Sequence, residues 1–439
     1  MRYLLIFFQK INSDNHLKEM LKGSSYVLVF RFLGVFSGYL FFLTISRNFG
    51  AEAVGVFNVS FSILSVCLII GRLGLENAIV RFIADAVEKN NAGLGVYILN
   101  KCLMLVVCVG LLLSFLYFVG STTLANFFDN DKLIVPFKIM ALIIVPFLFI
   151  MINSHGLRGY RFLKEFSLFQ NGNFQLLATI FILFGLIFCE GNLLPEYAYA
   201  AAILFGLLLS IYYYFRRILV FKTLDEQSFQ LKSILQVSMP MLVTGSMFTL
   251  MNWTDTVILG YYMQENEVGI YNISNKISLL ISIALFAINA MAGTQFADFY
   301  AANKKEELHK LAKQTSLVNA IFALPAFVLV IIFPVWLLSF FGNEFIVGKI
   351  SLCVLAFGQF SNAVCGSVIN FLNMTGKEKV VRNIIVFSVF INIVLNILLI
   401  PELGILGAAI ATSFSMILWN VCGVIYVRYN YGFWMLPIR

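Results

Sequence analysis

Two oppositely charged residues, Asp255 and Lys276, interrupt otherwise apolar stretches of this chain. A carboxylate in such a setting takes up a proton or a cation, and a lysine meets an anion; the two can also simply neutralise each other, as charges in a low dielectric tend to. Arg31 stands in the first apolar stretch. A guanidinium there either reaches the interface or grips a phosphate bidentately, which a lysine cannot do. Amides are the third group. Gln170, Asn171, Asn173 and Gln175 form one polar string, and Gln359, Asn362 and Asn370 another. An amide both donates and accepts, which suits a hydroxyl-rich ligand such as a sugar. Asn58 and Asn272 open two further stretches, where an amide either joins neighbouring helices or faces a polar path.

These readings depend on the elements that hold the residues at depth. Of 439 residues 60% are hydrophobic and 12% charged, against about 25% charged in soluble domains. A bilayer core about 30 Å thick needs roughly 20 apolar residues per helix, and the sequence predicts an all-α chain of twelve spans: 24–45, 54–74, 94–118, 133–154, 167–189, 195–215, 237–262, 267–293, 314–341, 350–372, 383–400 and 404–427. At 1.5 Å per residue, Asp255 and Lys276 lie roughly 10 and 14 Å below one surface, and Arg31 about 10 Å from the other. A charge at mid-bilayer costs about 2.5 to 3.5 kcal/mol. Lys101 and Lys138 escape that cost because their long stems snorkel. Pro146, Pro240, Pro325 and Pro334 fall inside spans and permit bending.

The formal charge of +8 is explained by loops without invoking nucleic acid. Basic residues collect in the N-terminal segment, in alternate loops (Arg158, Arg161 and Lys164; Arg216, Arg217, Lys222 and Lys232; Lys304, Lys305, Lys310 and Lys313) and in the tail with Arg428. The intervening loops hold Glu52, Asp129, Asp131, Glu190, Glu196, Glu265, Glu267, Glu344 and Glu402 against Arg47, Lys132 and Lys349. The positive-inside rule places both termini in the cytoplasm. The apolar core of MRYLLIFFQK is too short for a signal peptide and reads as a surface-lying segment. Seven cysteines show no CxxC, and the three histidines no cluster, so neither a disulfide framework nor a metal site is expected. A phosphate-cradling GxxxxGK[ST] loop is absent, and no cofactor is expected.

The chain also repeats itself. AEAVGVFNVSFSILS at 51–65 matches ENEVGIYNISNKISL at 265–279, 214 residues on. Lys164-Glu165 and Lys377-Glu378 stand at nearly the same offset, as do Pro195-Glu196 and Pro401-Glu402. Six spans per half make the halves parallel repeats about an axis along the membrane normal. The expected organisation is a six-helix bundle over 1–218, a cytoplasmic linker over 219–232 and a second bundle over 233–439. The offset sets Phe41 and Ser62 opposite Asp255 and Lys276. The charge pair therefore belongs to one half only, as a site would and shared scaffolding would not.

Three features resemble the polysaccharide-exporting flippases of the multidrug/oligosaccharidyl-lipid/polysaccharide (MOP) exporter superfamily. They are the twelve-span length, the GRLGLENAIVRFIA stretch at 71–84, and DTVILG at 255–260 followed by Val268-Gly269-Ile270-Tyr271. The resemblance implies a non-enzymatic flippase of the bacterial inner membrane. It would move undecaprenyl-pyrophosphate-linked oligosaccharide repeat units of O-antigen or capsule type by alternating access. Expected partners are that substrate, the bilayer, a coupling proton or cation, and other polysaccharide-assembly membrane proteins. On this reading Arg31, Lys276, Asp255, Asn58, Asn272, Gln170, Asn173, Gln359 and Asn362 form the substrate path. A cation-coupled multidrug antiporter of the same superfamily is the alternative, although the cationic residues Arg31, Lys101, Lys138 and Lys276 suit an anionic lipid better. A membrane enzyme of the same pathway would need a larger outer loop than the one near 120–132.

Overall fold

The computed structural model describes residues 15–170, 173–188, 191–221 and 231–436; the N-terminal MRYLLIFFQK segment lies outside them. Among the described residues the regular structure is helical throughout. In chain order the α-helices are α1 Asn15–Arg72, α2 Leu75–Glu88, α3 Ala92–Val119, α4 Ser121–Phe127, α5 Ile134–Leu142, α6 Ile144–Gly159, α7 Leu163–Phe169, α8 Asn173–Gly185, α9 Leu194–Tyr213, α10 Leu231–Tyr262, α11 Glu265–Ser278, α12 Ile283–Ala301, α13 Lys305–Ile332, α14 Pro334–Ser339, α15 Lys349–Val364, α16 Val368–Met374, α17 Glu378–Leu403 and α18 Ile405–Tyr431.

Each predicted span falls on these helices. Among the described residues, eight helical runs are long and apolar enough to cross a bilayer, or nine if the bent pair α7 and α8 counts as one. The run Val29–Glu88 holds two predicted spans, since the 58 residues of α1 extend about 87 Å and a bilayer core takes about 30 Å. A break at Gly50 (φ 80°) separates them. The remaining two spans lie on α10 and on α11 with α12, which carry Asp255 and Lys276. Pro146 and Pro334 stand in the first turns of α6 and α14, where a missing N–H costs little, while Pro325 lies inside α13. Apolar side chains face outward in stripes. On α3, Leu111, Leu112, Phe115, Leu116 and Val119 are all exposed, an apolar surface of the kind that contacts lipid.

Contacts divide the chain into two compact units: residues 1–44, 64–125 and 131–245, and residues 45–63, 126–130 and 246–439. The predicted linker at 219–232 lies mostly outside the described residues, and the contact-based boundary falls at 245. In unit 1, α2, α3 and α6 pack together, and α9 packs on α6 and α8. The ion pair of Arg217 with the buried Glu165 (2.8 Å) ties the turn that follows α9, Tyr214–Ile218, to α7.

Unit 2 is built around α18, which packs on α11, α15, α16 and α17. Its core includes Phe296, Phe371, Trp419, Val427 and Phe433, with the Phe296 and Phe371 rings edge to face at 5.3 Å. The middle of α1 also belongs here, for a local reason. Gly55 and Gly269 have no side chain between the backbones of α1 and α11; a Cβ on Gly55 would stand 1.8 Å from the carbonyl oxygen of Glu265. Residues predicted as outer-loop charges fasten the same segment. The Ala51 N–H donates to Glu344 Oε1 (2.7 Å), and Arg47 donates to the carbonyls of Phe340 (2.6 Å) and Ser339 (3.1 Å).

Candidate functional site

Asp255 sits on α10, 2% exposed, and each of its oxygens is met by a neutral polar group from another helix of unit 2. The hydroxyl of Tyr271 on α11 donates to Oδ2 at 2.7 Å, Thr412 Oγ1 on α18 donates to the same oxygen, and Asn396 Nδ2 on α17 donates to Oδ1 at 2.6 Å. Tyr271 and Thr412 also touch each other at 3.1 Å, and Asn396 reaches Asn392 Oδ1 at 3.2 Å. Sequence spacing accounts for the convergence. Asn392 and Asn396 are four apart and share a helix face. The small residues Gly407, Ala408 and Ala409, all buried, let α18 approach closely, as small residues do between membrane helices.

Chemically this is one carboxylate among hydroxyls and amides. Asn396 Oδ1 and Asn392 Nδ2 are buried with no hydrogen-bond partner among the described residues. Amide rotation would turn oxygen toward Asp255 at no covalent cost. The donor set is then all oxygen with a single negative charge, which fits a hard monovalent cation or a proton. Soft or multiply charged metals would call for thiolate, imidazole or further carboxylates, and the described residues contain no cluster of three His, Cys, Asp or Glu.

The expected Asp255–Lys276 pair is not formed. Lys276 lies on α11 five residues beyond Tyr271, which at 100° per residue turns it about 140° from the face that meets Asp255. Counting residues along the spans puts the two at similar expected depths, but rotation of α11 turns them apart. In the first repeat Phe41 and Ser62 are fully buried, and Ser62 Oγ donates to Val59 O at 2.7 Å, so a charge is lacking there, as the offset indicates.

The other predicted residues fall in several places. Asn58 donates to Val54 O (2.7 Å) and Asn272 to Val268 O (2.9 Å), the same local bond in each repeat; Asn272 Oδ1 also accepts from Thr256 (3.1 Å). In unit 1, Gln170 donates to Ser154 Oγ (3.1 Å) and Asn173 to Leu168 O (2.9 Å), so both hold the junction of α7 and α8. In unit 2, Gln359 Oε1 accepts from Ser282 (2.9 Å) and Asn362 Oδ1 from Asn420 (3.0 Å). Gln359 Nε2 is buried without a partner among the described residues. Arg31 is exposed on α1 in unit 1. Lys101 and Lys138 lie over the Tyr97 and Phe118 rings at 5.4 and 5.7 Å. Sequence reading missed Tyr271, Asn392, Asn396 and Thr412. The signal was present as two amides one turn apart in the apolar run FINIVLNILLI at 390–400.

Comparison with known proteins agrees with this architecture. The family model described as polysaccharide biosynthesis protein matches residues 20–293, and the MatE model matches 240–398. The probable low-salt glycan biosynthesis flippase Agl15 of Haloferax volcanii is 21% identical over 383 residues, covering 87% of this chain and 77% of that one. Among solved structures, an inward-facing multidrug resistance MATE family transporter of the MOP superfamily superposes with a TM-score of 0.74 at 13% identity, over 91% of this chain and 94% of that one. The lipid II flippase MurJ, in an inward closed conformation, gives 0.72 at 15% identity, over 93% and 87%. The structural likenesses establish a shared fold. Since the first family model spans more than half of the sequence, this multi-pass membrane chain belongs to the polysaccharide biosynthesis protein family.

Proposed function

We propose that this protein is a flippase that carries undecaprenyl-pyrophosphate-linked oligosaccharide repeat units, of O-antigen or capsule type, from the cytoplasmic to the outer leaflet of the bacterial inner membrane. Transport proceeds by alternating access, with both termini cytoplasmic, and is coupled to a cation or proton held at Asp255. The observation that carries the coupling is the Asp255 constellation, where one buried carboxylate is shared by Tyr271, Thr412 and Asn396. Loading or emptying such a site changes the contacts that join α10, α11, α17 and α18, which gives an ion the differential affinity it needs to bias two conformations. The glycan substrate is supported by the polysaccharide biosynthesis family match and by the name of the Haloferax relative. Arg31 and Lys276 supply positive charge for the pyrophosphate, and Gln170, Asn173, Gln359 and Asn362 supply amides for the sugar.

A cation-coupled multidrug antiporter is the second reading, favoured by the MatE match over 240–398. One deletion experiment separates the two. Loss of the gene leaves lipid-linked repeat units on the cytoplasmic leaflet, and restoring the wild-type gene, but not Asp255→Asn, clears them. Normal surface polymer together with altered drug tolerance would sink the flippase reading.

A further inference from the structure

The charged end of unit 2 contains a cleft that the transport reading does not use. α18 stops at Gly432, whose left-handed backbone (φ 83°) is open to glycine at little cost. The chain turns there and runs back onto α13. Ser316 Oγ on α13 holds the carbonyl of the fully buried Met435 (3.3 Å). The Phe433 ring stacks on His309 at 4.4 Å and meets Phe371 edge to face at 5.9 Å. Between the returning tail and α13 is an open cleft of about 500 Å³ lined by His309, Lys313, Arg428 and Trp434 among others. A neighbouring cleft of about 700 Å³ shares Arg428 and Trp434 and adds Tyr429.

The lining is one-sided in charge. His309 and Lys313 are four apart on one face of α13, and Arg428 faces them from α18. Among the described residues, those lining either cleft include no carboxylate. His309 Nε2 is buried with no hydrogen-bond partner among the described residues. Arg428 bonds the carbonyl of Gly432 through one nitrogen, and its guanidinium stands 5.6 Å from the Trp434 ring centroid. Positioning a lysine and an arginine around one cleft costs repulsion that a bound anion would offset. Simple snorkelling would instead spread such side chains into water. Trp434, 48% exposed, is the residue type that sits at headgroup level, and basic clefts on the cytoplasmic side of membrane helices are suited to anionic headgroups.

We infer that the cleft formed by His309, Lys313, Arg428 and Trp434 binds a phosphate group, carried by a lipid headgroup or free in solution. The site is separate from Asp255, and the inference stands whichever substrate the transporter carries. The test uses the full chain in neutral detergent. Short-chain phosphatidylglycerol is titrated by native mass spectrometry, and inorganic pyrophosphate by calorimetry. Saturable binding of phosphatidylglycerol alone identifies a lipid headgroup; binding of both identifies phosphate itself as the ligand. In the double variant Lys313→Gln/Arg428→Gln the affinity for whichever probe binds falls about tenfold or more, in line with the loss of charge-assisted contacts. Lys304→Gln/Lys305→Gln, at the start of α13 outside the cleft, leaves it within about twofold. Should the double variant not fold, Lys313→Gln alone, at a partly exposed position, reads about threefold weaker. Equal binding by cleft and control variants, or no saturable binding of either probe, overturns the inference.

Discussion

Gly55 and Gly269, 214 residues apart, make the same contact in opposite directions: each lies against the carbonyl oxygen four residues before the other, Gly55 on Glu265 and Gly269 on Ala51. The repeated words GVFNVS and GIYNIS thus pack on one another. A reciprocal contact of this kind is what two copies of one element make about a local two-fold axis. Asn58 and Asn272, one turn further on, repeat the pattern by each bonding the carbonyl four residues back.

A Cβ at Gly55 would stand 1.8 Å from Glu265 O and one at Gly269 would stand 2.1 Å from Ala51 O. Both neighbours are backbone, so relief requires the helices to part. Gly55→Ala and Gly269→Ala should each destabilise by at least the 1 to 3 kcal/mol typical of overpacking. Gly191→Ala, with nothing within 4 Å, should be neutral. Thermal melts of purified protein followed by size-exclusion chromatography read this directly; wild-type melting of Gly55→Ala would refute the contact.

Double-mutant cycles distinguish the Asp255 network from the pair that the sequence suggested. Asp255→Asn and Thr412→Val remove two members of one buried network and should show a coupling energy of about 0.5 to 3 kcal/mol in unfolding. Asp255→Asn and Lys276→Gln should add to within about 0.5 kcal/mol. A larger coupling in the second cycle would restore the ion pair.

Glu196, assigned by its sequence to an outer loop, is 1% exposed in the first turn of α9. Both carboxylate oxygens are buried with no hydrogen-bond partner among the described residues. An ionised group in that position carries a desolvation cost of several kcal/mol, and an amide avoids it. Glu196→Gln should raise the melting midpoint and Glu196→Lys should sharply reduce protein level. A lower midpoint for the Gln variant would show that the carboxylate has a stabilising partner or ligand.

Loop charges predict an orientation that reporter fusions can read. A fusion after Lys232 should report cytoplasm, and one at Asn130 the opposite side, because basic loops are retained inside. The reverse result at either point would remove the twelve-span orientation, and with it the placement of the Lys313–Arg428 cleft at the cytoplasmic surface.

Sequence by itself determined the all-helical, membrane-spanning character of the chain and the repeated words at 55–60 and 269–274, because spanning a bilayer demands a length and an apolarity that are written locally. The amides at 392 and 396, the glycines at 55 and 269, and Asp255 were all visible as residues out of place in apolar runs. Which of them meet was decided by tertiary structure. Depth follows from counting residues, but the partner of a side chain depends on how each helix is rotated and which helix it packs against. Asp255 and Lys276 have similar expected depths, yet rotation of α11 presents Tyr271 to the carboxylate, and α17 and α18, more than 120 residues later in the chain, bring Asn396 and Thr412 to it. The same holds for Glu196. Its flanking Pro195 marks a helix start, while its burial depends on packing between α9 and its neighbours, which no local pattern encodes.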